Sequence, residues 1–165
     1  MPKLIALAVT VGVLAVVATW LFGLDPLTAA KLQVWQAFIA WGGHFHCGGK
    51  FSGTRDTVVC MTFGAIVGLV SILLAHQLGA LGSLGAPVAV GIGAAVICLA
   101  SAVPYLGTIP ASVYGFASIA GLVLLGGMWD SPQDALLPTF LSILIGAAFG
   151  YVSEQISGAL AKKEA

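Results

Sequence analysis

His44-Phe45-His46-Cys47 is the most chemically reactive run in this chain of 165 residues. Imidazole and thiolate are ligands for zinc, copper or nickel, and imidazole also carries a hydrogen bond that protonation can switch. A shared helix face needs a spacing of three or four. His44 and Cys47 therefore face together, and His46 turns away. No further ligand joins them, because His76 sits at the far end of another apolar run. Three readings stay open. One is a weak metal site of His44, His46 and Cys47. Another is a constriction in which Trp41, His44 and Phe45 narrow a path. The third is an aromatic and polar belt at a membrane interface. So thin a ligand set gives no ground to expect a metal or another cofactor.

The remaining polar side chains are mild. Thr10, Thr19, Ser71, Ser101, Ser112, Ser118, Thr139, Ser142 and Ser153 lie in apolar runs. Such hydroxyls bond back to their own helix or join helix pairs. Ser112 and Ser118 flank Tyr114 and Phe116, and hydroxyls beside aromatics suit a narrow path for a small, weakly polar solute. Phe38, Trp41, His44, Phe45 and His46 supply the matching aromatic and polar set upstream. Together these nine residues are the candidate solute path or gate. Intramembrane charges mark proton relays and ion pathways. None occurs from Thr57 to Trp129, which argues against a pump or a carrier with a buried carboxylate. Glu154 is the one acid inside an apolar run, and it reads as an interfacial residue.

The elements holding these residues must be membrane helices. The chain is 59% hydrophobic and 7% charged, with a mean hydropathy of +1.08, whereas a soluble domain carries roughly 25% charge. Six spans of about 20 residues would use roughly 120 residues, leaving one integral membrane domain over residues 1–165. The expected spans are Leu4–Leu24, Leu27–Cys47, Thr57–Leu78, Pro87–Val103, Pro110–Met128 and Ala135–Leu160. Residues 48–56 read as a glycine-rich charged loop. The first span continues without a cleavage site before charge appears, so it reads as a retained helix rather than a signal peptide. Cys47, Cys60 and Cys98 are scattered and read as small hydrophobes. The lipid bilayer is the expected surrounding, and with zero net charge and no basic stripe nucleic acid is not an expected partner.

Positive charge sorts the ends. Six spans would put Lys3, Lys50, Arg55, Lys162 and Lys163 on one side and only Lys31 on the other, which predicts both termini cytoplasmic. The two halves also resemble one another. Phe63 to Ser71 lies against Ile145 to Ser153, so that Gly64 and Gly68 match Gly146 and Gly150, the expected helix-packing positions. More loosely, Phe38 to His44 lies against Val113 to Ile119. The fold class expected is an all-α membrane protein with six transmembrane helices in an inverted 3+3 repeat, the copies covering residues 1–79 and 86–160. The pairs Gly42-Gly43 and Gly48-Gly49 permit a helix break, and a break near Gly42 would turn backbone groups toward a solute.

The aromatic and small-residue segment Trp35 to His46, with Val103-Pro104 and Ile109-Pro110-Ala111-Ser112, resembles domain-of-unknown-function family 1097. The resemblance covers most of the chain. It implies a small six-span protein of the bacterial inner membrane and no particular substrate. His-Phe-His-Cys departs from the plainer Tyr-Phe-Ala-like residues expected of that family.

Three functions follow as expectations. The first is a channel or facilitator for a small uncharged or weakly polar solute, working as a homo-oligomer. The second is a non-transporting membrane subunit of a larger complex, and the third is metal handling. An enzyme is not expected, since no catalytic triad, zinc-protease motif or phosphate loop occurs.

Overall fold

The computed structural model describes residues 1–161, and the charges expected at Lys162 and Lys163 lie outside them. The described residues form helices and turns only. In order these are α1 (Lys3–Phe22), α2 (Asp25–Ala29), α3 (Val34–His46), α4 (Lys50–Gln77), α5 (Gly85–Ala100), α6 (Ile109–Leu125) and α7 (Leu136–Leu160). Tight 3-10 turns join α4 to α5 over Leu78–Leu84 and precede α7 over Pro132–Ala135. The helices α1, α4 and α7 lie in stretches long and apolar enough to cross a membrane. The shorter α6 is also apolar.

The second expected span divides in two. Pro26 opens α2, where its missing N–H costs nothing. The chain then turns at Lys31, whose φ is 59°, and restarts as α3. The break therefore falls before Trp35. No break occurs near Gly42: α3 is continuous from Val34 to His46, and the expectation of freed backbone there is wrong. Gly43 serves close packing instead, since a Cβ on it would lie 2.9 Å from the Thr57 methyl.

The expected loop at residues 48–56 is also largely helix. Gly48, Gly49 and Lys50 have φ of 92°, 69° and 58°, which reverses the chain within a few residues, and α4 begins at Lys50. The Gly49 N–H donates to the His44 carbonyl at 2.9 Å, and the Gly53 N–H donates to Gly49 at 2.7 Å.

Packing centres on two pairs, α4 with α6 and α3 with α7, while α4 also meets α7. α5 lies along α4 and α1 along α7. The pairs close tightly because each meets at a glycine. A Cβ on Gly64 would overlap the Ser112 carbonyl, and one on Gly146 would overlap the Ala37 carbonyl. At the centre, Ala40, Cys60, Met61, Ala111 and Ile143 form one buried apolar cluster from four helices. A second cluster joins Ala65, Leu69 and Ile72 of α4 to Ile119, Leu122 and Val123 of α6. Large hydrophobics such as Leu4, Val16 and Trp20 on α1, and Ile92 and Leu99 on α5, are exposed. Outward apolar helices around a core containing polar side chains are what a membrane-embedded protein presents.

Candidate functional site

α3 carries Gln36 and His44 about two helical turns apart, and both are wholly buried. Each anchors a polar cluster, one at either end of the helix, and the Met61–Ile143 cluster lies between them in sequence along the packed helices.

The cluster at the C-terminal end is a set of ring and carboxylate contacts. His44 Nε2 lies 3.0 Å from the Glu154 carboxylate of α7, and His44 Nδ1 lies 3.0 Å from the Thr54 hydroxyl of α4. The backbone N–H of Lys50 donates to the same carboxylate. Gly49 is needed for the approach, because a Cβ on it would stand 2.7 Å from Glu154 Oε1. A neutral imidazole fits if Nε2–H donates to Glu154 and Thr54 donates to Nδ1. An imidazolium fits as well, with both nitrogens donating and Thr54 donating to the Lys50 carbonyl, 3.2 Å away. One proton gained at Nδ1 and a rotation of the Thr54 hydroxyl separate the two patterns. Next to this cluster the Trp41 indole donates to Ser153 at 2.9 Å, and Ser153 donates to the Gly150 carbonyl at 2.7 Å.

The other cluster is uncharged. Gln36 Nε2 donates to the Ser118 carbonyl of α6 at 2.8 Å and to the Thr139 hydroxyl of α7 at 3.0 Å. Gln36 Oε1 and the Ser118 hydroxyl have no hydrogen-bond partner among the described residues, and neither has the Thr57 hydroxyl beside Gly43. The Thr10 and Thr62 hydroxyls and His76 Nε2 are likewise unpartnered among the described residues. Each such group costs about 1–3 kcal/mol when nothing satisfies it, and Gln36, Ser118 and Thr57 are the residues of this set that are wholly buried.

The nine residues expected to line a path are divided by the structure. Trp41, His44, Ser112 and Ser118 are buried. Phe38 stacks on Trp41 with centroids 5.8 Å apart, and Trp41 in turn stacks on Phe149 at 5.4 Å. Phe38 and His46 share an outer groove with Tyr114, whose hydroxyl is 3.3 Å from His46 Nδ1. Phe45 faces a cleft with Lys3, Leu7, Glu154 and Ser157. Phe116 packs near Gly68 and Gly93, away from the first cluster. His44, His46 and Cys47 do not converge: no group of three or more His, Cys, Asp or Glu among the described residues is placed to hold a metal ion. His76 is remote, its ring 4.5 Å from that of Trp129.

Sequence reasoning passed over Gln36, Thr54 and Thr57. Gln36 had a usable signal: it is an amide in the apolar first half of α3, where an unpaired polar group is expensive. Thr54 had none, because its partners are distant in sequence or buried in the turn. Glu154, read as interfacial, is half-sheltered and bonded to a buried ring.

No curated protein and no solved structure matches the chain. The family described as "Protein of unknown function (DUF1097)" matches residues 8–158. That match spans nearly the whole chain, which therefore belongs to this family.

Proposed function

We propose that this protein is a membrane facilitator for a small uncharged or weakly polar solute. The observation carrying the proposal is the set of buried, unpartnered polar atoms on Gln36, Ser118 and Thr57, inside helices whose outward faces are apolar. A merely structural bundle gains nothing by keeping such atoms unsatisfied. A path that exchanges hydrogen bonds with a passing molecule needs them. Met61 and Ile143 close the path between the two clusters, and an apolar constriction of this kind gates by excluding water.

The wider architecture belongs to the same reading: six spans in two inverted halves, α1, α3 and α4 against α5, α6 and α7. Matched contacts support it. Gly64 packs on Ser112 as Gly146 packs on Ala37, and Gly68 packs on Ile119 as Gly150 packs on His44. Aligning α3 with α6 and α4 with α7 carries each contact onto its counterpart. The central pair Met61 and Ile143 correspond in the same alignment, so the closure sits at the junction of the halves. The difficulty is α3, whose 13 residues reach only about 20 Å at 1.5 Å per residue, against a hydrocarbon core of about 30 Å. Its contacts with α7, α4 and α6 cover one face, and Phe38, Gly42, Phe45 and His46 are exposed on the other.

The setting is the bacterial inner membrane with both termini cytoplasmic. Lys3, the α3–α4 turn and the end of α7 meet at one end of the bundle, and Arg55 lies 4.6 Å from the Tyr105 ring, which agrees with the positive charges sharing a side. So slim a bundle works as a homo-oligomer, its exposed small-residue faces meeting those of neighbours.

Purified protein in liposomes tests the function by stopped-flow light scattering with acetamide, urea, glycerol and acetic acid. Faster equilibration than in empty liposomes is expected for the neutral solutes. Rates equal to empty liposomes for every solute would refute the proposal and leave a non-transporting subunit as the better reading.

A further inference from the structure

The Gln36 cluster has a hydrogen-bond inventory that its own side chains cannot complete. Its amide orientation is fixed: Nε2 faces the Ser118 carbonyl at 2.8 Å, and a flip would set two acceptors against each other. Oε1 is therefore an acceptor with no donor among the described residues, and Ser118, whose carbonyl Gln36 binds, is wholly buried with its hydroxyl unpartnered. Thr139 receives the second Nε2–H and keeps its own proton to donate. The three residues come from three helices, α3, α6 and α7, and Gln36 Oε1, an acceptor only, cannot be satisfied by a backbone carbonyl. None of the three side chains carries a charge.

We propose that Gln36, Ser118 and Thr139 form a binding site for one small neutral molecule that presents a hydrogen-bond donor beside an acceptor. The donor meets Gln36 Oε1, and the acceptor takes a proton from Ser118 or Thr139. Water is the smallest such molecule, and buried waters are held by two to four contacts of this kind. A primary amide presents the same pair. A carboxylate has no donor for Oε1, and an ammonium has no acceptor for the hydroxyls. The site thus selects hydroxyl and amide solutes over ions, which deepens the facilitator reading and rests on it only for the site's purpose.

The site is testable without flux. Protein labelled with 15N at glutamine side chains is placed in lipid nanodiscs, and the Gln36 amide pair is assigned by its disappearance in Gln36→Leu. A nuclear Overhauser contact from water to that pair is expected, to be displaced on titration with acetamide and not with sodium acetate. Ser118→Ala, which leaves Gln36 in place, should weaken the acetamide effect by roughly tenfold, the loss of one buried hydrogen bond. An amide pair with no water contact and no response to acetamide would overturn the site. Equal displacement by acetate would overturn the assigned solute class. Either result is independent of liposome flux, so a failed site and a failed transport function are told apart.

Discussion

Glu154 and Gly49 make the sharpest residue-scale prediction. The carboxylate receives His44 and the Lys50 N–H only because Gly49 has no Cβ. Gly48 also has a positive φ, yet open space surrounds it, whereas Gly49 at φ 69° and ψ −164° adopts a backbone conformation essentially restricted to glycine. Gly48→Ala should therefore lose only the conformational cost, of order 1 kcal/mol. Gly49→Ala should lose more, since it also displaces Glu154. Thermal unfolding of both variants in detergent should rank them in that order. Adding Glu154→Ala should suppress much of the Gly49→Ala excess, because the clash then has no target; equal effects with and without Glu154 would contradict the assigned contact. At this scale the sequence was partly legible. The unusual chemistry of His44 was visible, but its partners Thr54 and Glu154 were not, because contacts between residues 10 and 110 positions away arise from chain reversal and helix packing.

At the scale of elements, Gly64 and Gly68 of α4 and Gly146 and Gly150 of α7 are points of close contact between helices. Gly64→Val and Gly146→Val would drive a branched side chain into the backbone of α6 and α3 respectively. Both should reduce the yield of monodisperse protein on size-exclusion chromatography. Gly12→Val and Gly91→Val, at positions with nothing within 4 Å, should leave it nearly unchanged. A sequence-level reading placed the ends of α1, α5, α6 and α7 within a few residues, because proline, glycine and the polarity shift mark them. It failed around α3. The break at Lys31 adopts a left-handed conformation at a non-glycine residue, which no local residue preference announces. The start of α4 reads as loop from its glycines and charges, whereas Gly53 lies within the helix and permits close approach to the His44 carbonyl, which a Cβ there would meet at 2.9 Å.

For the whole molecule, the proposed six spans in two inverted halves predict a strict alternation of sides. Single cysteines replacing Lys3, Arg55 and Tyr105, in a background without Cys47, Cys60 and Cys98, should react with an impermeant maleimide from one face of sealed vesicles. Cysteines replacing Asp25, Leu81 and Asp130 should react from the other. Leu81 and Tyr105 are exposed in the structure, so a lack of labelling from either face would reflect membrane depth, while mixed sides would break the topology. The membrane character was plain from composition alone, and the proposed repeat rests on paired glycines that the sequence displays. The buried Met61–Ile143 cluster was not legible, since these are ordinary apolar residues brought together only where four helices meet.

The central claim is that a neutral solute crosses the bundle past Met61 and Ile143 and exchanges hydrogen bonds at Gln36. It is tested most directly by acetamide permeability in proteoliposomes, comparing wild type with the double variant Met61→Ala, Ile143→Ala and with Gln36→Leu. Opening the apolar closure should raise the rate by about tenfold or more, and removing the amide should lower it below wild type. Identical rates in all three, at equal protein content and equal folding by circular dichroism, would contradict a path through the bundle.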